Sequence, residues 1–268
     1  MVKQARKSVF TTMRWDGKYS VSHYSKHIDR LSNHSSRLGI TLPANVDSLA
    51  IDVLSKAFND SNTAENEGEI GLVRLSLTSE GVMSASTRWK NPINSPMNIS
   101  PTAITQVSAT ALPAPHWGDS IDGCKHGDWQ PYLDAKKVVD ERDCKIALFI
   151  RGDAVIDATS STPLLLDDDG VAWISDPIYG GVDSVSIASL IPYLSDCGIP
   201  VSQGRLTKQL ISRGRALLAV GTGIGVVHIT KLDGQDIGDG STDFAMLCSK
   251  LFNDAINQSW FEVKGVDD

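Results

Sequence analysis

Between residues 146 and 174 the sequence holds short apolar runs at 146–150, 155–156, 164–166 and 171–174, separated only by Gly and Asp turns. Runs of this length, rich in Ile, Leu and Val and bounded by turn residues, read as strands, because a buried helix needs about ten residues or more of helical periodicity. Two more apolar runs, 216–220 and 226–229, flank Gly221-Thr222-Gly223-Ile224-Gly225. Helical spacing is found at 129–139, with Pro131 in the first turn, and at 182–197, 206–213 and 244–257. The second half of the chain is therefore expected to be a β-rich body with helices outside it.

The first part reads differently. Residues 8–15 mix β-branched and aromatic residues and predict a strand; Asp16-Gly17 is a hairpin signal, and 18–22 returns as a second strand. Ser22 is expected to cap a helix that runs to about Leu38 and stops at Gly39, with Tyr24, Ile28, Leu31 and Leu38 on its buried side. Val46-Asp47 opens another helix, with Leu49, Val53, Leu54 and Phe58 inward. A polar loop is expected at 59–68, then strands at 70–77 and 82–89 around the turn 79–81. Pro92, Pro96 and Pro101 mark 91–101 as a connection, and a strand resumes at 102–111. These readings predict an α+β protein with a small N-terminal domain (1–98) and a larger C-terminal domain (99–268).

Composition excludes several classes. A net charge of -7 over 268 residues disfavours a general nucleic-acid binder. No run reaches the apolar length of a membrane span, so no membrane partner is expected. The cysteines Cys124, Cys144, Cys197 and Cys248 form no CxxC pair and suit a reducing compartment. The basic opening residues precede no apolar signal core. A cytoplasmic protein is expected, or a plastid one if a transit peptide has been removed. His23, His27 and His34 share the first predicted helix; without a third metal-ligand position they read as a solvated face, and no metal site is expected.

Lys125 stands out by its surroundings: Gly123-Cys124-Lys125-His126-Gly127-Asp128-Trp129 holds it between two glycines. A lysine that forms a Schiff base must lose its proton near neutral pH, which burial and a nearby cationic ring promote. The flanking Gly123 and Gly127 would let backbone approach such a ring; the bland reading is a surface loop lysine. Asp157 follows the apolar pair Val155-Ile156, so it either points inward to hold a protonated ring nitrogen or is a turn aspartate. A phosphate needs cationic and N–H donors. Arg30 beside Ile28 and Leu31, the Gly181 and Val182 amides ahead of a predicted helix, and Gly221-Thr222 supply them. Each also has an ordinary reading, as a snorkelling arginine or a tight turn. The glycines at 221–225 resemble a dinucleotide fingerprint only weakly, because 226–230 is strand-like where that motif needs a helix. An amine, an acid, an arginine and a Gly/Thr turn are together the needs of a pyridoxal 5'-phosphate site.

Taken in order, these segments resemble the class IV aminotransferases, the fold-type IV family of pyridoxal phosphate enzymes. Val9-Phe10-Thr11-Thr12-Met13-Arg14 is similar to the family's "FETMR" strand, and His27-Ile28-Asp29-Arg30-Leu31 to its "HLxRL" helix. Arg74 through Thr78 and Gly81 resemble its "RxxxTxG" strand pair, and Lys125-His126-Gly127-Asp128-Trp129 the lysine segment of plant and algal members. Val220-Gly221-Thr222 with Ile224 resembles the late phosphate turn, and Asp233-Gly234 with Ile237-Gly238 the "DGxxIG" hairpin.

The resemblance implies a two-domain fold-type IV enzyme, with a small N-terminal α/β layer and a larger β-barrel-like C-terminal domain with outer helices. It implies a homodimer that moves an amino group between an amino acid and a 2-oxo acid through an aldimine on Lys125. It implies Asp157 at the ring nitrogen and Arg30, Gly181, Val182, Gly221 and Thr222 around the cofactor, with Phe10, Thr12 and Arg74 toward substrate. The family's acid is normally glutamate where Asp157 stands; Thr162 replaces an asparagine, and Asp183-Ser184 stand where a small or hydroxyl residue and an arginine are usual. Two other readings remain: a lyase of the aminodeoxychorismate type using the same lysine, and a non-catalytic binding protein on this scaffold.

Overall fold

The computed structural model of the protein describes residues 7–61, 70–89, 104–118 and 120–263. The expected connection at 91–101, most of the loop 59–68 and the opening basic residues lie outside them. The chain forms two units. One comprises Met1–Ser95, Cys124–Trp129 and Ile256–Asp268, the other Pro96–Gly123 and Gln130–Ala255.

In the first unit, β1 (Ser8–Trp15) is followed by β2 (Ser20–Ser22), α1 (Tyr24–Leu38), α2 (Val46–Asn59), β3 (Gly71–Thr78) and β4 (Met83–Trp89). A last strand, β15 (Trp260–Glu262), completes a five-stranded sheet in the order β15-β2-β1-β3-β4. Strands β1 and β3 are antiparallel over their full length, from Ser8 opposite Thr78 to Trp15 opposite Gly71. Alternate residues of a strand face opposite sides, so Val9, Thr11, Met13 and Trp15 share one face and Phe10, Thr12 and Arg14 the other. Trp15 stacks on Phe58 of α2 at 5.2 Å, and Leu31, Leu54, Leu75 and Leu77 are fully buried. Each such side chain contributes roughly 1.5–3 kcal/mol by leaving water.

Two expectations for α1 are corrected. Ser22 does not cap it. Ser22 is held in β2 opposite Trp260, and the N-cap position is His23, in a left-handed conformation without a side-chain cap bond. The histidines do not form a solvated face: His27 and His34 are buried at 1% and 0% exposure. Their polar atoms are met by groups on the packed side of the helix, described below, which a helical wheel alone cannot show. Gly39 ends the helix as expected, in the left-handed region at φ 69°.

In the second unit, β5 (Gln106–Pro113), α3 (Gln130–Glu141), β6 (Ile146–Arg151), β7 (Ala154–Ala158), β8 (Thr162–Leu166) and β9 (Ala172–Ser175) come first. They are followed by α4 (Val185–Asp196), β10 (Val201–Gly204), β11 (Leu206–Thr207), α5 (Lys208–Arg213), β12 (Ala216–Gly221), β13 (Gly225–Leu232), β14 (Gln235–Asp236) and α6 (Asp243–Asn257). The strands form one barrel-like sheet, β10-β9-β8-β12-β13-β5-β6-β7-β11, with β14 paired to β13. Alternating residues of one face (Leu148, Val155, Leu165, Leu217, Ala219, Val227 and Ile229) form its apolar core. Residues of the other face, such as Phe149 and Leu218, are equally buried, and Phe149 meets Tyr132 of α3 edge-to-face at 4.7 Å. Burial on both faces produces the continuous apolar runs seen in the sequence. The predicted helix at 206–213 begins later, at Lys208, because Leu206 and Thr207 pair with Val155 and Ala154. The helix expected from 182 begins at Val185, with Ser184 Oγ accepting the Ile187 amide at 3.3 Å.

Candidate active site

In the first unit, Lys125 is fixed by its backbone. The free edge of β1 takes up the lysine segment: the Phe10 amide donates to the Lys125 carbonyl and the Gly127 amide to the Ser8 carbonyl, both at 2.9 Å. Val9 and His126 form the bridge between them. The Lys125 amide donates to Nδ1 of buried His34 at 3.0 Å. The Nζ of Lys125 lies 5.5 Å from the Phe10 ring centre and 4.9 Å from that of Trp129. Those two rings meet edge-to-face at 5.3 Å. The amine is half-buried against two aromatic faces, a contact that positions a cation.

The two flanking glycines serve packing. A Cβ on Gly127 would strike Ser8 Oγ, and one on Gly123 would strike the Gly181 carbonyl, each within its own unit. Their role is close approach of protein to protein, where the sequence suggested approach to a ring.

Arg30 is 7% exposed and points inward. Its Nη2 donates to Thr11 Oγ1 at 2.8 Å and lies 3.3 Å from His27 Nδ1. Thr11 Oγ1 lies 2.7 Å from the same nitrogen. A guanidinium can only donate, so His27 Nδ1 is an acceptor beside Arg30 Nη2 and takes the Thr11 hydroxyl proton in a hydrogen bond, which leaves the imidazole neutral. Burial holds the His27 pKa well below the usual value, reinforced by Arg30, His23 and Lys125. Thr11 and Arg30 are on the helix-covered face of β1; Phe10 and Thr12 are on the opposite face. Thr12 stands opposite Arg74 in the β1–β3 register, and the Arg74 guanidinium lies 3.7 Å over the Phe10 ring. Phe10 thus joins Arg74 to Lys125, whereas Arg30 belongs to a separate cluster on the other face.

In the second unit, Asp157 lies within β7 and is 3% exposed, so its side chain is buried in a strand and not part of a turn. Burying a carboxylate requires donors. The Ala158 amide donates to Oδ1 at 2.9 Å, and the Tyr132 hydroxyl and the Val182 amide donate to Oδ2 at 3.3 and 3.4 Å. Burial, and next the charge of Asp157, push the Tyr132 pKa well above its usual value, so the phenol keeps the proton it donates. Gly181 is buried, and a Cβ there would strike the Ile156 carbonyl. Gly221 packs as closely, with a Cβ position 2.5 Å from the Ser160 carbonyl. Thr222 Oγ1 lies 3.2 Å from Ser186 Oγ, in the first turn of α4. Tyr132 carried only the signature of a buried helix position, with Ala135 and Val139, and its link to Asp157 was not legible.

Among the described residues no group of three His, Cys, Asp or Glu side chains is placed to hold a metal ion. The donors present are an amine, a buried guanidinium, a buried carboxylate, hydroxyls and closely packed Gly turns. An aldehyde calls for the amine, a protonated ring nitrogen for the carboxylate, and a phosphate for the guanidinium, amides and hydroxyls. This set fits pyridoxal 5'-phosphate.

The comparisons agree. The model of the family "Amino-transferase class IV" matches residues 8–232, and the chain belongs to that family. Its cofactor is accordingly pyridoxal phosphate and its reaction class amino transfer. No match is found among curated protein sequences. Among solved structures, a hypothetical aminotransferase from Mycobacterium tuberculosis in its PLP-bound form is 16% identical, with a TM-score of 0.77 over 94% of this chain and 89% of that one. The branched-chain amino acid aminotransferase of Escherichia coli is 14% identical, with a TM-score of 0.76 over 96% and 90%. A Legionella pneumophila protein described as a 4-amino-4-deoxychorismate lyase is 16% identical, with a TM-score of 0.72 over 95% and 94%. Likeness at this level of identity establishes the fold-type IV architecture.

Proposed function

We propose that Lys125 is the catalytic amine and that the chain transfers an amino group between an amino acid and a 2-oxo acid. The supporting observation is the fixation of Lys125: backbone bonds on both sides, His34 behind, and the Phe10 and Trp129 rings at its Nζ. Bound pyridoxal phosphate supplies an aldehyde that condenses with amines and a ring that withdraws electrons from the substrate α-carbon. With that group bound, Lys125 Nζ, as a free amine, would take the proton from that carbon and hold it for return. Asp157 would accept the ring N–H, and its three protein donors keep the carboxylate in place. Arg30, the Gly181 amide, Gly221 and Thr222 would hold the phosphate; the Val182 amide, expected there from the sequence, is spent on Asp157 instead. Phe10 and Thr12 line the substrate side, and Arg74 pairs with a substrate carboxylate.

This reading carries a homodimer, as the family resemblance implies, which light scattering of the purified protein tests. It also carries a cytoplasmic or plastid location, in keeping with four free cysteines. The deciding test is a visible absorbance scan with added cofactor, followed by borohydride reduction and peptide mapping. A band and a reduced adduct on Lys125, lost in Lys125→Ala, is the expected result. An adduct on another lysine overturns the assignment, and no band favours the non-catalytic reading. Turnover that needs a 2-oxo acid identifies the transferase; pyruvate release without an acceptor identifies the lyase.

A further inference from the structure

The second unit contains an ion pair that this function does not use. Asp122 is 3% exposed and lies at the end of the loop before Gly123. Its Oδ1 accepts the Trp117 amide at 2.8 Å, and its Oδ2 meets His116 Nδ1 at 2.6 Å and Arg151 Nη1 at 2.9 Å. Arg151, at the end of β6, spends its remaining reach on backbone. Nη1 donates to the Tyr179 carbonyl at 3.0 Å and Nη2 to the Pro115 carbonyl at 2.9 Å. One planar guanidinium therefore ties together Pro115, Asp122, the end of a strand and the turn at Pro177–Tyr179.

What that turn leads into gives the clamp its significance. Gly180 follows in the left-handed region at φ 98°, and a Cβ there would lie 2.5 Å from Arg151 Nη1. Gly181 is then wedged between the Gly123 position and the Ile156 carbonyl, and the next amide, Val182, points at Asp157. Apolar packing does not hold the turn: none of Pro177–Tyr179 is buried, and Ile178 is 82% exposed. The polar clamp fixes it from the inner side.

We infer that Asp122 and Arg151 are positioning residues, which hold the Gly180–Gly181–Val182 turn so that the Gly181 amide receives the cofactor phosphate while the Val182 amide stays on Asp157. The inference rests on the assignment of Gly181 to the phosphate. Asp122 fixes the guanidinium plane, and the plane fixes the Tyr179 carbonyl and the start of the turn. Neither side chain is assigned a contact with the cofactor.

The test compares affinity of the apoprotein for pyridoxal 5'-phosphate and for pyridoxal, which lacks the phosphate, in wild type, Arg151→Met and Asp122→Asn. Binding is read by absorbance and tryptophan fluorescence, and melting of each apo form reports folding. Arg151→Met is expected to weaken the phosphorylated ligand by about tenfold, the equivalent of one charge-assisted hydrogen bond, with pyridoxal within about twofold of wild type. Arg151→Lys, which keeps the charge but not the fork, is expected to restore only part of the loss. If wild type prefers the phosphorylated ligand and folded variants keep the same preference, the clamp has no such role. If wild type shows no preference, the phosphate assignment itself fails and takes the clamp with it. Should Arg151→Met not fold, the isosteric Asp122→Asn decides by the same ratio.

Discussion

The hydroxyl of Tyr132 donates to Asp157 Oδ2 across 3.3 Å, from a helix to a strand of the same unit. Family members usually carry glutamate where this chain has the shorter aspartate. Tyr132, packed edge-to-face on Phe149, sets where the shorter acid points. Tyr132→Phe keeps the ring packing and removes the donor. It is expected to lower kcat/KM by about tenfold, since hydrogen bonds to charged groups are worth about 1.5–3 kcal/mol. Asp157→Asn is expected to cost far more. Steady-state kinetics at equal cofactor occupancy checks both; an unchanged Tyr132→Phe refutes the positioning role.

The glycines separate by what their absent side chains would meet. A Cβ on Gly127 faces the rotatable hydroxyl of Ser8, but one on Gly181 faces the fixed carbonyl of Ile156. Gly127→Ala is expected to cost at most about 1 kcal/mol, and Gly181→Ala about 1–3 kcal/mol through overpacking, with loss of cofactor binding. Urea denaturation and a cofactor titration on each variant check the order.

Acid should destabilise the first unit through its histidines. Burial first, then Lys26 and Arg14, lower the His23 pKa to about 4, and His27 is also held well below its ordinary value. Histidines of the unfolded chain titrate near about 6.5. Below that pH the unfolded state binds more protons than the folded state, so stability is fully present above about pH 7. It is lost as pH falls from about 6.5 toward about 4. Melting temperatures measured across this range should fall steadily, and His23→Gln should flatten part of the slope. A midpoint that rises on acidification contradicts the burial argument.

Arg74 lies over Phe10 with its guanidinium exposed toward solvent. Burial and next Arg88 lower its pKa from the usual arginine value, though it remains a cation. Arg74→Met is expected to raise KM for a carboxylate substrate by about tenfold or more while leaving cofactor affinity unchanged. Initial-rate kinetics against a cofactor titration separates the two effects.

Much of this was legible from local pattern. The alternation in 8–15 gave β1 its bounds, and apolar runs bounded by turns gave β6 to β9. Asp157 was marked by its apolar neighbours, and Arg30 by Ile28 and Leu31. What escaped the sequence depends on distant partners. His27 and His34 read as solvated because their acceptors and donors, Thr11 and the Lys125 amide, come from other segments. The short β10 and β15 have no periodicity of their own and exist through pairing with Ala172–Ser175 and with β2. Asp122 and Arg151 carry no local signal, because their partners (each other, the Trp117 amide, and the Tyr179 and Pro115 carbonyls) come from separate segments.

The residues Cys124–Trp129 belong to the first unit, although the chain on either side belongs to the second. An engineer who exchanges the N-terminal segment for that of a relative would not alter Lys125 itself. The exchange would nevertheless replace Phe10, His34, Arg74 and the strand edge on which the lysine rests. Conversely, a fragment starting after residue 95 would carry the lysine without its mooring. Inheritance of the lysine and inheritance of its surroundings are thus encoded in separate stretches of the gene, so chimeras of this chain should be planned around residues 8–10 and 124–129 as one block.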